Sequence, residues 1–73
     1  MEYKRNSTLI KFGKKIRDER EKKGLSQEQL GFKCDLDRTY ISGIERAIRN
    51  PSLLTIEKIA KALKVKLSDL VNF

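Results

Sequence analysis

The stretch QEQLGFKCDLDRTYISGIER, residues 27–46, predicts two short helices joined by a tight turn. Helices that cross steeply over a short turn need a small residue where their backbones approach, an apolar residue beneath the turn and inward-facing branched residues on the second helix. Gly31 meets the first need, Leu36 the second, and Ile41 and Ile44 the third. The spacing therefore predicts a packed pair of helices at the centre of the domain.

The second helix of this pair is expected to expose a polar face. Asp37 can cap its N-terminus, and we expect a length of about ten residues. Ile41 and Ile44 point inward because they are three residues apart. The side chains on another face of the helix are polar: Arg38, Thr39 and Ser42. This face is therefore available for contact with a partner.

Cap residues and apolar periodicity predict further helices on both sides. We expect a first helix after an N-cap at Ser7, a second after Ser26, whose capping box Gln29 completes, a fourth after Ser52 and a short fifth after Ser68. Five helices leave no room for a sheet, so the predicted fold class is all-α, a compact five-helix domain. Residues 1–6 lack periodicity and are expected to be a flexible N-terminal tail, with residues 7–73 forming one domain.

The composition argues against an enzyme. A chain of 73 residues, 38% of them hydrophobic, suffices for one core and no second lobe. It has no His and a lone Cys34, so it offers neither a Cys/His nucleophile pair nor a zinc ligand set. We expect no catalysis, no metal, no cofactor and no small-molecule ligand. Cys34 lies at an inward position and is interpreted as a buried structural thiol.

The N-terminal sequence MEYKRNST lacks the apolar run of a signal peptide. No apolar stretch approaches the eighteen or so residues that cross a bilayer. We therefore expect a cytoplasmic protein with no membrane partner.

The charge of the chain is strongly basic and unevenly distributed. The net charge is +7, and residues 11–23 carry seven basic and three acidic side chains. A basic surface attracts polyanions, among which nucleic acid is the usual partner, although a solvated helix face gives the same pattern.

Three segments resemble the helix-turn-helix regulators of the phage-repressor type: GLSQEQL at residues 24–30, YISGIERAIRNPSL at 40–53 and IEKIAKALKVKLSDL at 56–70. The resemblance covers residues 9–71 and implies a phage-repressor-like domain that binds double-stranded DNA. Within that family, LDRTYISGIERAIRNPS at residues 36–52 looks most like the controller proteins of bacterial restriction-modification systems. That likeness implies a dimeric activator and repressor of its own operon.

The chain departs from the family pattern at two places in the helix pair. Gly31 stands where Ala is usual, and Asp35 stands in the turn where Gly is more frequent. Asp tolerates a left-handed turn, and Gly31 is expected to cost ~1 kcal/mol of helix stability, so neither change threatens the fold.

The resemblance assigns Arg38, Thr39 and Ser42 to base edges on the recognition helix, with Tyr40 beside them near base methyls or phosphate. Arginine can bond bidentately to guanine O6 and N7, and the short Thr39 and Ser42 permit close approach to a base edge or a thymine methyl. Outside this family, Arg38 would more simply be solvated or paired with Asp35, and Tyr40 could belong to the core.

Further residues are implied to contact the DNA backbone: Gln27, Arg46, Arg49, Asn50 and Lys14. Gln27 lies at the N-terminus of the second helix, where its amide and the free backbone N–H groups can bind a phosphate. Arg49 and Asn50 are also placed to reach the minor groove. The predicted contact of Lys14 with DNA requires that its face of the first helix approaches the duplex. The alternative is that Lys14 is simply solvated.

The family also uses a buried arginine on the first helix to bridge the glutamate that ends the third. By resemblance, Arg20 and Glu45 form this structural ion pair and do not read DNA. Breaking it would strand one charge and cost several kcal/mol.

The C-terminal segment is expected to form a homodimer. One recognition helix reads too few base pairs for useful specificity, so modules of this size pair across a two-fold axis and bind a pseudo-palindromic operator. The predicted interface residues are apolar and lie at the end of the chain: Leu67, Leu70, Val71 and Phe73.

Two alternatives to a controller protein remain open at this point. An antitoxin or a phage-type repressor would use the same module, and the neighbouring gene would separate these from a controller. A protein-interaction adaptor of the same fold would carry an acidic or apolar recognition face, whereas this one carries Arg38 in a protein of charge +7.

Overall fold

A computed structural model describes residues 6–73. These residues form five α-helices and no strand: α1 (Ser7–Lys22), α2 (Gln27–Cys34), α3 (Arg38–Glu45), α4 (Leu53–Leu63) and α5 (Leu67–Leu70). The prediction of an all-α, five-helix domain is confirmed. The predicted flexible tail lies outside the described residues except at its last position, Asn6.

Asn6 is the N-cap of α1, so the prediction of a cap at Ser7 is wrong by one residue. The Asn6 backbone is extended, and its side-chain Oδ1 accepts hydrogen bonds from the amides of Thr8, at 2.8 Å, and Leu9, at 3.3 Å. An Asn side chain satisfies two of the orphan N–H groups of a helix start. Asn6 therefore belongs to the folded domain and not to a tail.

The starts of α2 and α4, like that of α3, follow the sequence prediction. Ser26 and Gln29 form the reciprocal capping box of α2, with Oγ to N and Oε1 to N distances of 3.0 and 2.8 Å. The Ser52 hydroxyl accepts from the Thr55 amide at the start of α4. The fifth helix, however, begins at Leu67 after Lys66, whose amide donates to the Asp69 carboxylate, so Ser68 is not its cap.

The third helix is shorter than expected, eight residues instead of about ten. Ala47 adopts a left-handed φ of 64°, and the Ile48 amide donates back to the Gly43 carbonyl at 2.9 Å. This left-handed residue closes the helix at Glu45 and directs the chain away.

One hydrophobic core joins all five helices. Its buried residues are Phe12, Ile16, Leu30, Cys34, Ile41, Ile44, Ile59, Ala60, Leu63 and Leu70. The Cys34 thiol donates to the Leu30 carbonyl, and burial raises its pKa. Cys34 is therefore a buried, protonated thiol, as its position in the sequence predicted.

Two glycines sit where backbones meet. A Cβ at Gly31 would lie 2.4 Å from the Leu36 carbonyl oxygen, which accounts for a small residue where the two backbones approach. A Cβ at Gly13 would lie 2.4 Å from the Ile44 oxygen and 2.8 Å from the Glu45 oxygen. Gly13 therefore lets α1 pack directly on the end of α3, a role that the sequence analysis missed.

The helices follow one another closely along the chain. Their connections are residues 23–26, 35–37, 46–52 and 64–66, and the extensive packing is between α2 and α3, α1 and α3, and α2 and α4. Gly24 and Asp35 turn the chain in the left-handed conformation. Among the described residues, no helix has the length and apolar character needed to cross a membrane.

Candidate nucleic-acid interface

The exposed face of α3 is set by its N-cap and its two inward isoleucines. Asp37 is extended and caps the helix, and Ile41 and Ile44 are buried beneath it. This arrangement leaves Arg38 and Thr39 exposed in the first turn of the helix. The helix thus presents the predicted polar face, beginning at its N-terminus.

Arg38 is exposed and makes no hydrogen bond or ion pair with any described residue. The alternative pairing with Asp35 is therefore not formed. Arg38 borders a shallow surface together with Gln27 and Glu28 from the start of α2. Its five N–H donors are free to meet an external acceptor.

Thr39 is tied to the cap of the helix. Oδ1 of Asp37 accepts both the Thr39 amide, at 2.8 Å, and the Thr39 hydroxyl, at 2.5 Å. The hydroxyl is the main reason that the pKa of Asp37 lies below its usual value, followed by the amide. Asp37 is therefore an ionised acceptor that also orients Thr39.

Tyr40, Gly43 and Arg49 form one cluster at the side of α3. The Arg49 guanidinium carbon lies 5.7 Å from the Tyr40 ring centroid, a cation–π arrangement. A Cβ at Gly43 would lie 2.6 Å from Cγ of Arg49, so the glycine leaves room for the arginine stem. Tyr40 is half-buried and packs on the core, as one of its two interpretations predicted. The exposed part of its side chain remains available for the other, a contact with DNA.

Ser42 is half-buried on the same helix, between the exposed first turn and this cluster. The neighbour of Gly43 is Arg49, which the chain brings back from the following connection. The contact between Gly43 and Arg49 could not be predicted from the spacing of residues along the sequence.

Arg20, Glu45 and Gln27 form a network that joins α1, α2 and α3. Arg20 donates from Nε to Oε2 of Glu45 at 2.7 Å and from Nη2 to Oε1 at 3.0 Å, and from Nη1 to the Leu25 carbonyl at 2.8 Å. The side chains of Arg20 and Glu45 are 11% and 4% exposed. The hydrogen bonds to Glu45 raise the pKa of Arg20.

Gln27 donates from Nε2 to Oε1 of Glu45 at 3.0 Å. Its side-chain amide is therefore partly committed to the network. One N–H remains to donate to a phosphate or water, and the carbonyl remains to accept from water. The sequence analysis gave Gln27 only the phosphate role and missed its bond to Glu45.

The remaining candidates for contact with the DNA backbone are exposed. Arg46 is the C-cap residue of α3, and Asn50 lies in the connection to α4. The Lys14 ammonium lies 3.5 Å from the Asp18 carboxylate on the outer face of α1. An exposed pair of this kind is weak, so it leaves Lys14 available to other anions.

The C-terminal segment differs from the prediction at one residue. Leu70 is fully buried in the core and offers no surface to a partner, so its assignment to a dimer interface is wrong. Leu67 is half-buried, and Val71 and Phe73 are 50% and 51% exposed. The sequence analysis did not single out two exposed leucines in the first turn of α4, Leu53 and Leu54.

Comparison with known proteins identifies the family to which this chain is related. A family model described as Helix-turn-helix matches residues 16–70. Control protein C.BamHI of Bacillus amyloliquefaciens is 55% identical over 93% of this chain and 85% of its own length. Control protein C.MunI of a Mycoplasma species is 48% identical over 92% of each chain.

A solved structure agrees in fold and sequence. The restriction-modification controller protein C.AhdI from Aeromonas hydrophila superposes with a TM-score of 0.88 at 48% identity, covering 89% of this chain and 98% of that one. The chain therefore belongs to the helix-turn-helix family of transcriptional regulators and is similar, within that family, to the control proteins of restriction-modification systems.

Proposed function

We propose that this protein is a sequence-specific DNA-binding regulator of transcription that works as a restriction-modification control protein on the operon containing its own gene. The observation that carries the proposal is an exposed, unpaired Arg38 at the start of α3 in a chain that is 55% identical to a control protein. An exposed arginine that makes no hydrogen bond or ion pair within the fold is suited to bind guanine. Such a regulator works on DNA in the cytoplasm.

In the proposed complex, the N-terminal turn of α3 enters the major groove. Arg38 bonds guanine O6 and N7, and Thr39, Ser42 and Tyr40 meet neighbouring base edges. Phosphates are bound around this turn by residues at the ends of helices and on the outer face of α1: Gln27, Arg46, Arg49, Asn50 and Lys14. These contacts fix the register of the helix on the duplex without reading sequence.

We further propose that two copies bind a pseudo-palindromic operator as a homodimer. Val71 and Phe73 remain half exposed at the end of the chain although the core is complete without them. Leu67 beside them and exposed Leu53 and Leu54 on α4 add apolar surface to the C-terminal half. A contiguous patch of exposed apolar groups is typical of an interface, and these residues are the candidates for such a patch.

Affinity for an operator duplex should fall steeply with salt. Each phosphate that the protein neutralises releases counterions, so log K is expected to fall by roughly 0.9 per phosphate for each tenfold rise in salt. Fluorescence anisotropy of a labelled duplex, at several salt concentrations, measures the slope. An affinity that does not change between low and moderate salt would contradict the DNA-binding function.

Arg38→Ala should weaken binding to the selected operator by about 1–3 kcal/mol and relax the base preference at one position in each half-site. Selection of bound sequences from random duplex DNA, with the wild type and the variant, measures both effects. Lys14→Ala is the matched control and should weaken binding evenly across sequences. An unchanged motif with Arg38→Ala would show that Arg38 does not read a base.

Val71→Glu should abolish self-association and operator binding while leaving the helical content largely intact, because it places a charge on a half-exposed apolar side chain. Sedimentation at micromolar concentration and circular dichroism measure the two properties. Phe32→Glu, at a residue that is 90% exposed on α2, is the control and should leave the dimer unchanged. A wild-type protein that is strictly monomeric and binds one half-site with full affinity would refute the dimer.

A further inference from the structure

The hydroxyl of Thr39 is already engaged before any DNA arrives. It donates to Oδ1 of Asp37 at 2.5 Å, and the same oxygen accepts the Thr39 amide at 2.8 Å. A threonine hydroxyl has one proton to donate and two lone pairs that accept. Because its proton is donated to Asp37, the Thr39 hydroxyl can only accept a hydrogen bond from a group outside the protein.

Two features favour this orientation over the opposite one. The Asp37 carboxylate is ionised, and a hydroxyl bond to an ionised acceptor is stronger than one to a neutral base atom. Asp37 is also held in place by capping α3, so the hydroxyl bond needs no further ordering of that side chain. Turning the proton toward a base would give up this bond.

We propose that Thr39, oriented by Asp37, reads a base that carries an exocyclic amine in the major groove. This inference rests on the proposed DNA-binding function and narrows it. The major groove offers such donors only at adenine N6 and cytosine N4, whereas guanine O6 and N7 and thymine O4 are acceptors. Thr39 therefore selects adenine or cytosine, and Asp37 is a positioning residue for that choice.

The first experiment identifies the base. Sequences bound by the wild type and by Thr39→Val are selected from random duplex DNA. Valine keeps the shape and the apolar contact of threonine but loses the hydroxyl. We expect the wild type to prefer adenine or cytosine at one position per half-site, and the variant to lose that preference alone. A position that changes but holds guanine or thymine in the wild-type motif overturns the proposal, as does a motif that does not change.

The second experiment tests the hydrogen bond itself. In the selected operator, the adenine is replaced by purine, or the cytosine by pyrimidin-2-one, so that only the exocyclic amine is lost. The replacement should weaken wild-type binding about three- to tenfold and leave the affinity of Thr39→Val unchanged, in keeping with the contribution of one hydrogen bond. Equal losses for both proteins overturn the proposal.

The third experiment separates positioning from capping. Asp37→Asn keeps a carbonyl acceptor and should keep the preference for an amine-bearing base. Asp37→Ser keeps a capping oxygen but can itself donate to Thr39, which frees the threonine proton. We expect the selected position to accept thymine or guanine with Asp37→Ser. If both variants lose affinity with the base preference unchanged, Asp37 acts only as a cap and its positioning role is refuted.

The proposed function and this inference fail in different ways. A wild-type selection that returns no motif at all contradicts sequence-specific DNA binding. A clear motif in which the position sensitive to Thr39 lacks an amine contradicts only the inference.

Discussion

Glu45→Ala should lower the free energy of unfolding by about 3–5 kcal/mol, because it leaves the Arg20 guanidinium buried without its counter-charge. Glu45 accepts two bonds from Arg20 and one from Gln27, and its side chain is only 4% exposed. A small domain has a total stability of roughly 5–15 kcal/mol, so the variant should be close to unfolding. Urea denaturation followed by circular dichroism, at fixed protein concentration, measures the change.

The control for this prediction is an exposed ion pair on the same first helix. Arg17 and Glu21 are 3.6 Å apart with both side chains more than half exposed. Glu21→Ala should cost at most about 1 kcal/mol, because solvent already screens the pair. If Glu45→Ala cost no more than this, the network would not be a structural centre. Glu45 does not contact DNA in the proposed complex. Any loss of operator binding with Glu45→Ala should therefore result from loss of the folded structure.

Gly13→Ala should lower stability by about 1–3 kcal/mol, although the same change at an exposed helix position ordinarily raises it by about 1 kcal/mol. The new methyl group would lie 2.4 Å from the Ile44 carbonyl oxygen and 2.8 Å from that of Glu45. Both atoms belong to the backbone and cannot rotate aside, so α1 must move away from α3. The midpoint of thermal unfolding should fall by roughly 4–8 °C per kcal/mol.

Lys11→Ala, at an exposed position of the same helix, is the matched control and should leave the midpoint nearly unchanged. A midpoint for Gly13→Ala equal to or above that of the wild type would contradict the close approach of the two helices. The approach also positions the end of α3, so operator affinity should fall together with stability.

Local chemistry explains why most of the fold could be predicted from the sequence. Ser26, Asp37 and Ser52 are side chains that cap helices, and each begins a helix in the structure. Asp35 tolerates the left-handed conformation that it adopts. The choice between Asn6 and Ser7 could not be settled in this way, because both residues are good caps and adjacent registers differ by one position.

The residues that were missed depend on contacts between distant parts of the chain. Gly13 is needed only because the end of α3 lies against it, and Gly43 because Arg49 crosses it. Leu70 is buried because α5 packs on both α1 and α4. Arg20 and Glu45 are 25 positions apart, so their pairing could be predicted from the family resemblance but not from their spacing in the sequence.

The short connections between consecutive helices have a consequence for timing. Most contacts in this domain join residues fewer than twelve positions apart in the sequence. A helical domain of this kind has a low contact order and folds in microseconds to milliseconds. Ribosomal synthesis at about 5–20 residues per second needs roughly 4–15 s for a chain of this length. Each new copy would thus be folded almost as soon as it is released. If the protein acts as the proposed dimer, the lag before it acts is governed by how quickly its concentration reaches that needed for dimerisation.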